Sequence, residues 1–255
     1  MSIFNAIILA IIEGLTEFLP ISSTGHMILA SSAMGIHEDE FVKTFEICIQ
    51  LGAILAIALM YMQRFFKSID IYLKLLVAFL PTAIIGFLAY DIIKHYLFNA
   101  IVVSVSLIIG GIILIWIDSY IKSKESEVAD LDQIPYKNAF KIGLFQCLSM
   151  IPGTSRAAAT IVGGVLNKLD KRQATEFSFL LAIPTMFAAT GYDLLKTPID
   201  FTSEQWKLLT IGLTIAGISA WIAVKIFLNI VDKYGFKPFG YYRIALGIIY
   251  LIFMY

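Results

Sequence analysis

Six long apolar stretches run through the chain, at roughly Phe45–Met62, Ile71–Tyr90, Ala100–Tyr120, Glu176–Leu195, Trp206–Lys225 and Phe239–Tyr255. Each is close to the roughly 20 residues that a helix needs to cross the hydrocarbon core of a bilayer. Two further stretches, Phe4–Met34 and Asn138–Leu166, are apolar on average but interrupted. Pro20 and Gly25 break the first, Pro152 and Gly153 break the second, and both carry charge near their middles. Irregular backbone at membrane depth is tolerated only where protein buries it or where it lines a water-filled cavity. Each broken stretch is therefore predicted to be a re-entrant helix–turn–helix that enters and leaves on one side.

The same order of elements occurs twice. Leu19-Pro20-Ile21-Ser22-Ser23-Thr24 lies over Ile151-Pro152-Gly153-Thr154-Ser155-Arg156, and Phe45 falls on Phe177 at the same offset. Lys74-Leu75-Leu76 falls on Lys207-Leu208-Leu209 at an offset one residue larger. Repeat one spans about 1–121, a polar linker about 122–137, and repeat two about 138–255. A re-entrant pair followed by three crossings reverses the second half relative to the first, the inverted-repeat plan found in many transporters. The expected fold is thus all-α and polytopic, with two inverted-topology repeats, each one re-entrant helix pair plus three transmembrane helices.

Composition strengthens the membrane assignment. Apolar residues make up 59% of 255 positions and charged residues 15%, where a soluble domain carries about 25% charged residues. The mean hydropathy is +0.83. Net charge is zero, so no basic footprint for nucleic acid is present. Cys48 and Cys147 lie in apolar context without CxxC spacing and are read as small buried hydrophobes. The N-terminus lacks a basic n-region, so no cleaved signal peptide is expected. Self-association, a homodimer in the simplest case, fits such a bundle, although no feature of the sequence fixes a number.

Loop charge gives an orientation. The face away from the first re-entrant stretch receives Arg64, Lys67, Lys122, Lys124, Lys137, Lys141, Lys168, Lys171, Arg172, Lys233 and Lys237. The other face receives chiefly Lys43, Lys94 and Lys196, with the acidic run Glu38-Asp39-Glu40. The positive-inside rule places the basic face in the cytoplasm and both termini outside. Tyr234, Tyr241, Tyr242 and Arg243 are read as an interfacial belt near the cytoplasmic end of the last helix, with no catalytic role.

Charge inside the hydrocarbon costs about 2.5–3.5 kcal/mol per residue even on insertion scales, so it normally faces a cavity and acts there. Glu13 and Glu17 are four apart, on one face of a helix. Such carboxylates suit a hard divalent cation, Mg²⁺ or Ca²⁺, completed by water and phosphate. Ser22, Ser23, Thr24 and His26 follow, and these hydroxyls could equally cap the next helix. In the second stretch, Gly153-Thr154-Ser155-Arg156 opens a helix. A helix start is a ready anion site, and the Arg156 fork matches phosphate oxygens, or could pair with Glu13 or Glu17. Carboxylates, hydroxyls and a histidine from one tip, with an arginine from the other, fit phosphoryl chemistry better than ion transport. Walker A, HExxH and GxSxG patterns are absent from the sequence.

The run Glu13-Gly14-Leu15-Thr16-Glu17-Phe18-Leu19-Pro20-Ile21-Ser22-Ser23-Thr24-Gly25-His26 resembles the first signature of the bacterial undecaprenyl-diphosphate phosphatases of the bacitracin-resistance type. Pro152-Gly153-Thr154-Ser155-Arg156 resembles their second signature, and Phe45-Glu46-Ile47-Cys48-Ile49-Gln50-Leu51-Gly52 the segment after the first. The second motif departs mildly, with Ala157-Ala158 where Ser-Gly is expected. The resemblance implies a multi-pass enzyme of the cytoplasmic (inner) membrane that converts undecaprenyl diphosphate to the monophosphate at a pocket opening outward, and that depends on a divalent cation. Carried over, Glu13 and Glu17 would bind metal or exchange protons, and Arg156 would hold the diphosphate with Ser22, Thr24, Gly153, Thr154 and Ser155 around it. Ser23 would be the essential hydroxyl and His26 would assist.

Two alternatives stay open in the sequence. Ser23 could form a phosphoryl-enzyme with Glu17 or His26 as its base, or a metal-activated water could attack instead. A carrier returning polyprenyl monophosphate across the membrane would use the same Arg156 and helix start. The paired carboxylates beside Ser23 and His26 favour the enzyme, because a carrier needs a counter-charge but no nucleophile.

Overall fold

The computed structural model describes residues 1–67, 69–96, 100–121, 130–196 and 201–253. Lys122, Lys124 and the linker through residue 129 lie outside them, as do the side chains of Lys67 and Lys94. The described residues contain helices and no strand.

Both interrupted stretches fold as helix–turn–helix pairs. The first forms α1 (Ile3–Thr16) and α2 (Ser23–Ala33), and the apolar stretches after it form α3 (Glu40–Met60), α5 (Ile69–Tyr96) and α6 (Ala100–Ile121), with a short α4 (Met62–Lys67) between. The second forms α7 (Tyr136–Gln146), a 3-10 turn over Cys147–Met150 and α8 (Arg156–Leu166), followed by α9 (Lys171–Lys196), α10 (Ser203–Tyr234) and α11 (Lys237–Phe253). Five helices, α3, α5, α6, α9 and α10, are long and apolar enough to cross a bilayer. The sixth expected span, α11, has 17 described helical residues, about 25 Å at 1.5 Å per residue, and falls just short of that length. The chain is an all-α polytopic membrane protein.

Local chemistry sets the helix ends. Asp39 caps α3 by accepting from the Phe41 N–H at 2.8 Å. Thr202 and Gln205 form a capping box at the start of α10, satisfying orphan N–H groups at both positions. Gly235 ends α10 at φ 73.

The helices interleave. α1 packs along α10 and α7 along α5, while α6 runs beside α11 and α3 lies between α9 and α10. Aromatic contacts link the turns to the core: Phe18 meets Phe179 edge-on at 5.8 Å, Phe179 meets Phe227 at 5.9 Å, and Phe227 meets Phe239 at 5.0 Å. One face gathers the Met1 amino group beside Asp39 and Phe41 against Phe201. At the other end of α3, Arg64 pairs with Asp130 and Glu176, Arg172 with Glu176 and Asp232, and Lys171 with Asp118. Arg64, Lys171 and Arg172 therefore share one face, as the loop charges suggest.

Arg243 departs from the belt expected near the end of the last helix. Its side chain is 0% exposed, and the guanidinium donates to five backbone carbonyls. Nη1 reaches Pro20 O at 3.0 Å and Thr154 O at 2.8 Å, Nη2 reaches Gly153 O at 2.9 Å and Ser106 O at 3.0 Å, and Nε reaches Leu107 O at 3.3 Å. The five donors of the planar fork are all used. Gly110 makes room for it, since a Cβ there would collide with Nη2. Residues 20, 153 and 154 lie in the two breaks, so one side chain joins the tips of both re-entrant pairs. The sequence hid this because a basic residue beside tyrosines near a helix end has the composition of an interface anchor.

Replacing Arg243 by Ala leaves these carbonyls buried and short of partners, and should destabilise the protein by roughly 3–5 kcal/mol, the range for breaking a buried charged network. Lys should not restore the loss, because an ammonium has three donors and no planar fork. Thermal unfolding in detergent measures this; an Arg243→Ala midpoint equal to the parent's would refute the clamp.

Candidate active site

The two tips meet at Glu17. Glu13 and Glu17 sit at the end of α1, both buried. Glu17 Oε2 accepts from the Ser23 hydroxyl at 2.5 Å. Glu17 Oε1 accepts from Arg156 Nη2 at 3.1 Å. Arg156 is further held by Nη1 donating to Ser178 O at 3.1 Å, by the Met186 sulfur at 3.3 Å from Nη2, and by the Phe18 ring 5.3 Å below. Its Nε is buried with no partner among the described residues.

Both tips use the same backbone device. Ser22 caps α2 at φ 70, its Oγ accepting from Gly25 N at 3.4 Å. Ser155 caps α8 at φ 71, its Oγ accepting from Ala158 N at 3.2 Å and its hydroxyl donating to Leu19 O at 3.4 Å. A positive φ at a non-glycine residue costs about 1–3 kcal/mol and tends to mark functional positions. It turns the chain so that the next residue, Ser23 or Arg156, is the first of its helix. The helix starts correspond at an offset of 133, one more than the sequence match at the breaks: Ser22 corresponds to Ser155, and Ser23 to Arg156. Ala157 and Ala158 are buried within the α8 start, so their departure from the motif leaves the turn closed.

The other candidate residues fall around this centre. Gly153, at φ 89, presents its carbonyl to Arg243, and a Cβ there would collide with Val103 O. Thr154 contributes its carbonyl to the same clamp, and Thr24 is exposed. His26 lies beside the turn without a hydrogen bond to Ser23: Nδ1 is 2.8 Å from Ser22 O and Nε2 2.7 Å from the Tyr242 hydroxyl. The sequence missed Tyr242 and the clamp of Arg243. It also missed Glu46, which lies close enough to Glu13 for their charges to interact. The signal for Glu46 was available, a lone carboxylate in an otherwise apolar span.

An oxygen-ligated cation fits what is left over. Glu13 Oε1 and Glu46 Oε1 are buried with no hydrogen-bond partner among the described residues, a costly state for carboxylates without a counter-charge. Among the described residues no group of three or more Asp, Glu, His or Cys side chains is placed to hold a metal ion, so Glu13 and Glu46 would act as a pair. An ion held here would keep water or phosphate oxygens in its shell, the habit of Mg²⁺. A cavity of about 360 Å³ also opens between α5 and α9, lined by Phe79, Phe87, Met150, Thr185 and Tyr192 among others.

The family model for bacitracin resistance protein BacA matches residues 6–249. The chain belongs to that family. It is 50% identical to the undecaprenyl-diphosphatase of Persephonella marina over 254 residues, covering 100% of both chains. It is 52% identical to that of Bdellovibrio bacteriovorus, covering 100% of this chain and 97% of the relative, and 50% identical to that of Aquifex aeolicus, covering 99% of each. The BacA-family chain thus shares its full length with these relatives, both tips included.

The capping serines separate strain from hydrogen bonding. Ser155→Ala keeps the unfavourable φ and loses the cap, which should cost about 1 kcal/mol or more; Ser155→Gly, free of the φ penalty, should cost only a few tenths. Unfolding midpoints check the order, and a glycine variant less stable than the alanine one would contradict it.

Proposed function

We propose that the protein hydrolyses undecaprenyl diphosphate to undecaprenyl phosphate and inorganic phosphate at the outer face of the cytoplasmic membrane, recycling the lipid carrier of cell-wall synthesis. The observation that carries this is the contact of the Ser23 hydroxyl with Glu17, itself paired to Arg156 from the opposite tip. The names of the full-length relatives support the substrate, and the apolar cavity beside the second tip suits a prenyl chain.

In this reading the terminal phosphate lies between the starts of α2 and α8, where free N–H groups and Arg156 hold its oxygens. Glu17 takes the Ser23 proton as Oγ attacks the terminal phosphorus. The bond from that phosphorus to the bridging oxygen breaks, and undecaprenyl phosphate leaves with the bridging oxygen, its electron pair and the proton that Glu17 passes to it, so that Glu17 is a carboxylate again. Water then attacks the phosphoserine, giving a proton to Glu17; the P–Oγ bond breaks, Ser23 regains a proton, and phosphate departs. Glu13 and Glu46 would hold a divalent cation, Mg²⁺ or Ca²⁺, whose charge offsets that of the diphosphate when bound.

The halves are read as inverted repeats with the first tip entering from outside. The equal lengths of α2 and α8, their serine caps at φ 70 and 71, and the exchanged packing of α1 on α10 and α7 on α5 support this. The basic face around Arg64 and Arg172 then lies in the cytoplasm.

Purified protein should release phosphate from undecaprenyl diphosphate, stop with chelator and resume with Mg²⁺ or Ca²⁺. Glu17→Ala and Arg156→Ala should each lose about a hundredfold or more in kcat/KM while staying folded. No release under any divalent cation would defeat the proposal. In intact cells an impermeant maleimide should label Glu38→Cys, and label Lys233→Cys only after permeabilisation; the reverse would invert the orientation.

A further inference from the structure

Tyr242 and His26 form a pair that the proposed chemistry leaves unused. The rings stack with centroids 5.6 Å apart and planes 2° from parallel. His26 Nδ1 lies 2.8 Å from the Ser22 carbonyl oxygen, which can only accept, so Nδ1 carries a proton. In the neutral ring, Nε2 then has a lone pair, and the Tyr242 hydroxyl 2.7 Å away donates to it. Both nitrogens of His26 are engaged, and neither serves Ser23, whose proton goes to Glu17.

What the pair holds is the strained turn. Ser22 is the residue at φ 70 whose conformation starts α2 and aims Ser23 at Glu17. Its carbonyl accepts from His26 Nδ1, while two residues earlier the Pro20 carbonyl accepts from Arg243. Consecutive residues of α11, Tyr242 and Arg243, thus fix both ends of the 20–22 segment, one through His26 and one directly. Strain of this kind persists only where its surroundings over-determine it.

We propose that Tyr242 is a positioning residue for the reaction: acting through His26, it sets the Nδ1-protonated tautomer, latches the Ser22 carbonyl and so fixes the Ser23 hydroxyl on Glu17. This rests on Ser23 being the nucleophile. His26 is then a latch through Nδ1 and not a base through Nε2, and amide substitutions distinguish the two. The Asn side chain can place its N–H₂ where Nδ1–H stands, whereas that of Gln reaches toward Nε2.

The test uses the full chain in detergent with undecaprenyl diphosphate. Tyr242→Phe, which keeps the ring stack, should lower kcat about five- to tenfold with KM within about twofold. His26→Asn should match Tyr242→Phe, and the double variant should be no worse than His26→Asn alone. His26→Gln and His26→Ala should fall at least about tenfold further. Nitrogen-15 NMR of labelled histidine, of which the chain has three, should find His26 protonated at Nδ1 in the parent and a mixture of tautomers in Tyr242→Phe. A Tyr242→Phe enzyme with parental kcat, or a His26→Asn enzyme as inactive as His26→Ala, would overturn the proposal. So would an Nε2-protonated parent, which can be read whether or not the variants are active. A parent that releases no phosphate fails the phosphatase instead, and the NMR result still decides the latch.

Discussion

One guanidinium holds the two halves of the site together. Each re-entrant pair must break its helix inside the membrane, and each break leaves carbonyls without helical partners in a medium that supplies no water. Arg243 satisfies Pro20 O in one break and Gly153 O and Thr154 O in the other. It is costly to bury, and it is tolerable only because all five donors are used. The clamp fixes the distance between the tips, and that distance decides whether Ser23 and Arg156 can share Glu17. A helix far along the chain, α11, is therefore as much a part of the site as the motifs that carry the chemistry.

Similar backbones at the two tips carry different chemistry. At the offset of 133 that relates the helix starts, Glu13 corresponds to Gln146, Glu17 to Met150, Ser23 to Arg156 and His26 to Ala159. The first tip supplies the carboxylates and hydroxyl, the second the cation. Gln146 shows what the second tip does with a neutral side chain: it donates to Thr82 at 2.9 Å and accepts from Thr185 at 3.2 Å. Glu13 in the corresponding place keeps a bare carboxylate oxygen. One tip is closed by ordinary hydrogen bonds, and the other is left with bonding capacity that its own chain does not fill.

The legible parts of the sequence were those whose physics is local. Apolar length marks α3, α5, α6, α9 and α10, and proline, glycine and charge inside apolar runs mark both breaks. Glu17, Ser23 and Arg156 are legible because a membrane span rarely keeps such groups without use. Arg243 and Tyr242 were not, because their partners lie more than 200 residues away, at Pro20 and His26, and their neighbours suggest an interface belt. Gly110 and Gly153 carried the missing hint: each leaves space for another group to come close, but glycine does not say which group comes. His26 was read for its chemistry, and what the sequence could not give is where its nitrogens lie, Nδ1 beside Ser22 O and Nε2 beside the Tyr242 hydroxyl.

On the proposed reading, charge balance gives a metal its purpose at the site. Glu13, Glu17 and Glu46 bring up to three negative charges, and Arg156 and the clamping Arg243 bring one positive charge each. The starts of α2 and α8 add about half a positive charge each. Even with all three carboxylates ionised the tips then carry roughly no net charge, and so little to attract a diphosphate. Arg156 is already committed to Glu17, so it attracts an incoming phosphate less than a free guanidinium would. A divalent cation on the bare oxygens of Glu13 and Glu46, as proposed, would leave about two positive charges for the substrate. On this balance the loaded carboxylates would supply the positive field that the tips otherwise lack. On the proposed mechanism Arg156 and the strained serines would then set where on the substrate the Ser23 hydroxyl strikes.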